Sequence, residues 1–305
     1  MSSSTVTLVV VARYLLIYGG ITMIIFGMFG SAMVILIFTQ RPFNNNPCSI
    51  YIVTNGILEF FFLPLYYLPN IMTFGFQINW LGINSSFCKF QMSYAGFTIT
   101  SVFIINCFIS FDRYVTSTTS LHLRLLSSKR MAFLLVTMGL IFVWCTIGIP
   151  VVILFENIPT DSNGTIICSS HSRLFLIIAA LFYFPILEGI LPICLAIFFW
   201  YFTRRNVHNL HNEDFIRRFD RQMTRMYFFQ MIASAIASFP FATINLYRSL
   251  TSQSIRSVDQ ENIVQFFRLL AIWIFYIQYC IDFYIYCATS NVVFNRAKKF
   301  FFSYK

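Results

Sequence analysis

Seven long apolar stretches run along this chain and limit what it can fold into. They lie at about 11–38, 48–74, 88–115, 131–155, 174–202, 223–247 and 263–288. Each exceeds the ~20 residues that a helix needs to cross ~30 Å of hydrocarbon, and only 10% of all residues are charged. Strands fit less well, because short segments of alternating polarity are missing. The sequence therefore predicts an all-α membrane protein, a seven-transmembrane helix bundle in one domain covering 1–305.

The loops between these stretches indicate which way the chain crosses the membrane. Most of the 21 basic residues fall in the odd-numbered loops and the C-terminal tail, which share one face of the bundle. The positive-inside rule then places the N-terminus outside the cell and the C-terminus in the cytoplasm. We accordingly predict a multi-pass plasma-membrane protein that contacts lipid. This topology explains the net charge of +10, so nucleic acid is not a predicted partner.

Two of the eight cysteines, Cys88 and Cys168, are expected on the outer, oxidising face. A disulfide between them would close about 80 residues and contribute roughly 4 to 5 kcal/mol in the chain-entropy model. Two free thiols are the alternative. Asn84 and Asn163 each begin a glycosylation sequon in a predicted outer loop.

An acidic residue, a basic residue and a tyrosine close the third stretch: Asp112, Arg113 and Tyr114. Further landmarks occur singly in the later stretches: Trp144, Pro192, Pro240 and Tyr286. In these positions the chain resembles the rhodopsin-like G-protein-coupled receptors. The cysteine that opens span three in that family stands 25 residues before the arginine of the triad, and Cys88 precedes Arg113 by 25 residues. The resemblance implies an extracellular ligand and a cytoplasmic heterotrimeric G protein as partners.

The resemblance also implies how spans three and six are held together at their inner ends. In the family, the arginine of the triad pairs with acidic residues, here Asp112 and Asp220, and the clamp opens to admit a G-protein helix. Asp220 could instead be only a surface charge. We predict that the coupling site and inactive-state clamp consist of Asp112, Arg113, Tyr114, Asp220 and Tyr286. The segment 292–302 resembles the family's eighth helix and suits an amphipathic helix at the membrane surface.

Three acidic residues lie inside predicted spans: Glu59, Glu188 and Asp282. Ionisable groups within a membrane are costly and mark function. By resemblance, Glu59, Gln278 and Asp282 line a buried polar cavity where the family often binds sodium. Ser31 and Val102 replace the usual polar partners, which disfavours sodium, and no cofactor is predicted. Two acids in one cavity also suggest pH-sensitive activation as a hypothesis.

The ligand is expected in the outer half of the bundle, because no outer domain is evident. By resemblance the pocket residues are Ala95, Ile99, Glu188, Phe241, Asn245, Arg268, Ile272 and Tyr276. Ala95 stands where amine receptors carry an aspartate, and no lysine lies within a span, so the usual amine anchor and a retinal Schiff base are both disfavoured. Glu188 could meet a cationic ligand group and Arg268 an acidic one, or Arg268 could simply extend to the outer interface. A peptide is slightly favoured over a small molecule.

Span six departs from the family's Cys-Trp-x-Pro motif and reads Ala237, Ser238, Phe239 and Pro240. The tryptophan that couples ligand to helix motion is missing. Phe239 or Phe241 could replace it, or both could be ordinary side chains of a membrane span.

A second class of function is a transporter or ion channel that uses Glu59, Glu188 and Asp282, although no internal repeat supports it. An integral membrane enzyme would need a reactive cluster. His208, His211 and Glu213 could hold a metal, but a solvated loop explains them more simply. We therefore predict no enzymatic activity and no metal site.

Overall fold

The computed structural model describes residues 3–41, 43–78, 84–118, 126–160, 165–178, 214–251 and 257–302, with a few single positions between these ranges. Its α-helices are Ser3–Tyr14, Gly20–Phe38, Cys48–Phe62, Leu68–Asn70, Ser85–Ser117, Lys129–Val143, Ile149–Leu154, Arg173–Ile178, Asp214–Leu250, Val258–Ile277, Asp282–Thr289 and Asn291–Phe302. Wider π-turns join some of them at Leu15–Gly19, Leu63–Tyr67, Ile71–Gly75 and Trp144–Gly148, and a short 3-10 turn covers Phe43–Asn45.

Within the described residues, five continuous helices are long and apolar enough to cross a membrane. They are span one (Thr7–Phe38), span two (Cys48–Gly75), span three (Ser85–Ser117), span four (Lys129–Leu154) and span six (Gln222–Arg248). Span seven consists of two helices, Val258–Ile277 and Asp282–Thr289, which meet at an angle of 51°. Most of the predicted fifth span, 174–202, lies outside the described residues. The predicted all-α seven-transmembrane bundle is confirmed.

Span seven bends without a proline in the break between its two helices. The amide of Tyr279 donates to the carbonyl of Tyr276 at 3.2 Å, and the amide of Cys280 donates to that of Ile277 at 2.9 Å. These are bonds between residues three apart, which tighten the turn and redirect a helix. The N-terminal and C-terminal halves of span seven therefore point in different directions.

Close packing of spans one, two and seven depends on a glycine. A Cβ atom added to Gly27 would lie 2.6 Å from Leu63 Cδ1 and 2.8 Å from Cys280 Sγ. Small residues let membrane helices approach each other closely. Spans two and seven can therefore both reach the same face of span one.

A two-stranded antiparallel hairpin follows span four, with β1 at Phe155–Thr160 and β2 at Thr165–Ser170. Asn157 pairs with Cys168 in the register, and Cys168 forms the predicted disulfide with Cys88 at the start of span three, with a Cα–Cα distance of 5.7 Å. The Asn157 side chain also donates to the carbonyl of Gly82 at 3.2 Å. The hairpin is thus fixed over the ends of spans three and four.

The last helix, Asn291–Phe302, begins directly after span seven and carries its basic residues and phenylalanines in blocks. The Arg296 guanidinium donates to the backbone carbonyl of Arg41 in the loop after span one. This contact connects the C-terminal helix to the same end of the bundle as the first loop. We refer to Asn291–Phe302 as helix eight.

Candidate functional site

The C-terminal end of span three carries a buried ion pair. We call this end of the bundle inner and the opposite end outer, following the topology predicted from the sequence. Arg113 and Asp112 are only 3% and 4% exposed, and the Arg113 guanidinium donates to Asp112 Oδ2 at 2.7 Å. The same guanidinium donates to Asn46 Oδ1 at 3.0 Å, in the turn before span two. Ser127, in the turn before span four, donates to Asp112 Oδ1 at 2.6 Å. The pair therefore ties span three to the starts of spans two and four by charge-assisted hydrogen bonds.

Two other predicted members of the clamp lie in different surroundings. The ring of Tyr114 packs against Phe199 and Phe202, with centroid distances of 5.7 Å and 6.1 Å. Tyr286 lies in the core of the bundle, where it is buried. Asp220 lies on the helix Asp214–Leu250, but its side chain is outside the described residues. Contact between Arg113 and Asp220 therefore stays a prediction.

A buried polar network crosses the middle of the bundle between spans two, six and seven. The carboxyl groups of Glu59 and Asp282 are within hydrogen-bonding reach of each other. The side-chain amide of Gln230 donates to Asp282 Oδ2 and accepts from the hydroxyl of Tyr286. All four residues are buried. The Gln230 amide thus provides hydrogen-bond partners for both Asp282 and Tyr286. Without a partner, each of these polar groups would be costly to bury.

A second polar chain lies beside the first and joins spans two, three and six. Asn55 donates to Asn106 Oδ1 at 2.7 Å. The Tyr227 hydroxyl donates to the backbone carbonyl of Asn106 at 2.7 Å. All three residues are buried. Span three is therefore linked to span six through Tyr227 as well as through the apolar core.

One position of the predicted polar cavity offers no ligand to a sodium ion. Val102 is buried at the position where the family has a small polar residue, so it offers no oxygen ligand. The carboxyl groups of Glu59 and Asp282 are directed at each other, and Asp282 also accepts from Gln230. A hydrogen bond between two carboxyl groups requires a proton between them. With one shared proton the pair keeps a single negative charge, which Gln230 stabilises through its hydrogen bond to Asp282.

Five of the predicted pocket residues come together in the outer half of the bundle. Ala95, Ile99, Ile272 and Tyr276 are buried in one apolar cluster, and Phe241 packs against it. Aromatic rings surround Tyr276. Its ring centroid lies 3.9 Å from that of Tyr67, 6.0 Å from that of Phe62 and 6.3 Å from that of Tyr66. We call the aromatic members Phe62, Tyr66, Tyr67, Phe241, Phe275, Tyr276 and Tyr279 the outer aromatic cluster.

Three predicted pocket residues are not members of this cluster. The Arg268 guanidinium lies over the ring of Phe74 at 5.0 Å from the centroid, a cation–π contact between spans seven and two. Asn245 lies in the outer part of span six and is half-buried. Glu188 lies outside the described residues. The outer half of the bundle therefore contains a packed aromatic cluster with one positive group beside it.

Span six contacts span seven where the family's tryptophan is missing. Ser238 occupies that position and donates to Gln278 Oε1 at 3.2 Å. Phe239 is 71% exposed and faces outward. Phe241 stacks on Phe275 with centroids 4.5 Å apart and planes inclined by 27°. Of the two phenylalanines considered from the sequence, only Phe241 faces span seven.

The two predicted glycosylation positions are Asn84 and Asn163. Asn84 is exposed, and its side-chain oxygen caps span three by accepting from the amide of Ser86 at 2.8 Å. Its Nδ2 atom, to which a glycan would attach, is not the atom used in this cap. Asn163 lies outside the described residues.

Several functional candidates were not found from the sequence: Asn46, Asn106, Ser127, Tyr227 and Gln230. Gln230 did carry a signal, because an amide within the apolar run "YFFQMIA" needs a buried partner. Asn46 and Ser127 lie in short polar turns, and nothing in those turns indicates a contact with span three. Their contacts with span three depend on how the ends of spans two, three and four come together in the bundle.

These features define a helical membrane receptor, with a buried arginine at one end of the bundle and an aromatic cluster towards the other. Comparison with protein families supports this class directly. The family model of the 7 transmembrane receptor (rhodopsin family) matches residues 30–286. The chain belongs to this family. A comparison with curated individual proteins finds no significant match.

Proposed function

We propose that this receptor lies in the plasma membrane with its N-terminus outside, binds an extracellular ligand and activates a heterotrimeric G protein. The observation that carries the proposal is the buried Arg113, held by Asp112 and Asn46 at the inner end of span three. A buried guanidinium loses far more than a surface one when a partner is removed. Its release is therefore a step that can separate a resting state from an active one.

In the proposed resting state, the network around Gln230 and the pair at Arg113 hold spans two, three, six and seven together. Activation moves the inner end of span six away from span three and opens a cleft for a helix of the G protein. Asp220, one of the predicted partners of Arg113, belongs to the same clamp. Asp220→Asn is expected to raise basal signalling, about tenfold for each 1.4 kcal/mol removed from the resting state. An unchanged basal second-messenger level in this variant would remove Asp220 from the clamp.

The outer aromatic cluster supports a ligand with apolar or aromatic groups, because aromatic side chains favour ring contacts with well-defined geometry. Arg268 beside this cluster supports an acidic group on the ligand. A peptide with a hydrophobic or aromatic end and a carboxylate satisfies both features. We therefore propose a peptide ligand in preference to a biogenic amine.

Co-expression with a panel of heterotrimeric G proteins tests the proposed activity. Basal nucleotide exchange in membranes is measured for the wild type, Arg113→Ala and the control Arg130→Ala, which changes an exposed arginine at the start of span four. We expect exchange on one G protein that Arg113→Ala abolishes and Arg130→Ala retains. Equal exchange in all three, with correct surface expression, would reject Arg113 as the coupling residue. Substrate-driven current without exchange would favour a transporter instead.

A further inference from the structure

The hydroxyl of Ser127 is one of the partners that position the buried ion pair. Ser127 lies in the turn just before span four and is partly exposed. Its Oγ atom donates to Asp112 Oδ1 at 2.6 Å, while Asp112 Oδ2 accepts from Arg113 at 2.7 Å. The carboxylate of Asp112 is therefore shared between one neutral donor from the loop and one cationic donor from its own span. Any change to the Ser127 hydroxyl acts directly on the partner of Arg113.

Basic residues surround Ser127 in the sequence "RLLSSKR". Arg124 precedes it by three positions, and Lys129 and Arg130 follow it by two and three positions. Protein kinases choose substrates partly through charge patterns, and a serine with basic residues on both sides suits a kinase whose substrate groove is acidic. Because Ser127 is partly exposed, opening of its hydrogen bond to Asp112 frees the hydroxyl for a kinase.

We propose that Ser127 is a phosphorylation site of a basophilic serine/threonine kinase, and that phosphate at this position loosens the hold on Arg113. The proposal rests on the topology proposed above, which places this loop in the cytoplasm. In the reaction, Ser127 Oγ attacks the γ-phosphorus of ATP and a new O–P bond forms. The bond between that phosphorus and the bridging oxygen breaks, ADP leaves, and the hydroxyl proton passes to the kinase or solvent.

Phosphorylation of Ser127 turns its attractive contact with Asp112 into a repulsive one. The hydroxyl that donates to Oδ1 is replaced by a group with about −1.5 to −2 charges and only acceptor oxygens facing the carboxylate. Asp112 is buried, so the repulsion is weakly screened, and the phosphate cannot occupy the place of the hydroxyl. The turn must move away from span three. Asp112 then loses one of the two side chains that fix its orientation towards Arg113.

The neighbouring Ser128 provides a matched comparison within the same basic segment. Its side chain caps span four by accepting from the amide of Met131 at 3.3 Å. A phosphate at a helix N-terminus is favoured by the helix dipole, and the Ser128 hydroxyl is directed at the first turn of span four. Phosphate on Ser128 is therefore expected to leave the Arg113 pair in place.

The modification itself is tested on the full-length receptor in lipid nanodiscs, with ATP and a purified basophilic kinase such as the catalytic subunit of cyclic-AMP-dependent protein kinase. Mass spectrometry locates the phosphate in the wild type, Ser127→Ala and Ser128→Ala. We expect phosphate on Ser127 in the wild type and in Ser128→Ala, and loss of that signal in Ser127→Ala. Phosphate confined to Ser128, or its absence from both serines, would overturn the proposal.

The consequence is tested by hydrogen exchange of the backbone amides at 112–117 and by basal nucleotide exchange. Phosphorylated wild type is expected to exchange these amides faster and to raise Arg113-dependent nucleotide exchange about two- to tenfold, as for the loss of one buried hydrogen bond. Treated Ser127→Ala should show no change beyond its untreated form. Slower or unchanged amide exchange in receptor phosphorylated at Ser127 would refute the loosening. If nucleotide exchange does not depend on Arg113, the proposed coupling function is wrong. The location of the phosphate and the amide exchange still test the phosphorylation proposal independently.

Discussion

The side-chain amide of Gln230 on span six joins Asp282 and Tyr286, which lie one helical turn apart on the inner half of span seven. It gives a hydrogen bond to the first and receives one from the second, so both ends of the amide are used. Asp282 in turn contacts Glu59 of span two. Movement of span six relative to span seven therefore breaks a buried contact.

Gln230→Met tests this connection, because methionine keeps the length of the side chain and removes both polar atoms. Asp282 and Tyr286 each lose a buried partner, at a cost of about 1–3 kcal/mol per unsatisfied group. We expect a lower melting temperature of the solubilised receptor and a higher basal nucleotide exchange. Thr243→Val is the control, since its exposed hydroxyl donates only to the backbone of its own span. A Gln230→Met variant as stable and as silent as this control would contradict the role of the network.

Asn46→Ala is expected to raise basal signalling. Asn46 Oδ1 accepts both from Arg113 and from the backbone amide of Cys48 at 3.0 Å, so its loss affects Arg113 and the start of span two. A hydrogen bond to a charged group contributes about 1.5–3 kcal/mol, which predicts an increase of roughly tenfold or more. Asn46→Asp keeps the acceptor and adds a charge, so it should restore or lower the basal level. Equal basal levels in both variants would show that Asn46 does not hold Arg113.

Loss of the disulfide is expected to destabilise the receptor by about 4–5 kcal/mol in the chain-entropy model. Cys88→Ser, Cys168→Ser and the double variant should therefore melt at similar, lowered temperatures, because each removes the same bond. Reduction with dithiothreitol should lower the melting temperature of the wild type and leave that of the variants unchanged. A double variant clearly less stable than either single variant would show that the two cysteines contribute separately.

Phe241→Ala and Phe239→Ala are expected to differ in their effect on stability. Phe241 stacks on Phe275, a contact worth about 0.5–1.5 kcal/mol beyond the buried area, whereas Phe239 is mostly exposed. The melting temperature of Phe241→Ala should fall clearly below that of Phe239→Ala. Once a ligand is found, only Phe241→Ala should weaken the response to it. A lower melting temperature for Phe239→Ala than for Phe241→Ala would contradict this assignment and favour the outward face of span six.

Hydropathy predicted the helical bundle well, because the length needed to cross hydrocarbon leaves few alternatives. It could not predict which face of each span is buried. Lipid is as apolar as the protein core, so the apolar stripe that identifies the inner face of a soluble helix is missing. Gln230 was visible as an amide in an apolar run, yet its contact with Asp282, 52 residues further along, depends on the rotation of two helices.

The contacts of Arg113 at the inner site could be predicted from the sequence only in part. The pairing of Asp112 with Arg113 follows from adjacency in the sequence and from the family triad. The contact between Arg113 and Asn46 joins residues 67 positions apart, through the turn before span two. Turns between spans carry no periodic pattern, so only the assembled bundle shows which of their polar groups face span three.

The bend in span seven leaves its inner half, Asp282–Thr289, as a helix of only 8 residues. Asp282 and Tyr286 both contact the same amide of span six, so the position of this segment depends on that of span six. This segment therefore reports the arrangement of spans six and seven. A fluorine or spin label on the partly buried Cys287, after replacement of the exposed Cys145 and Cys194 and the partly buried Cys107, would report a movement of span six relative to this segment.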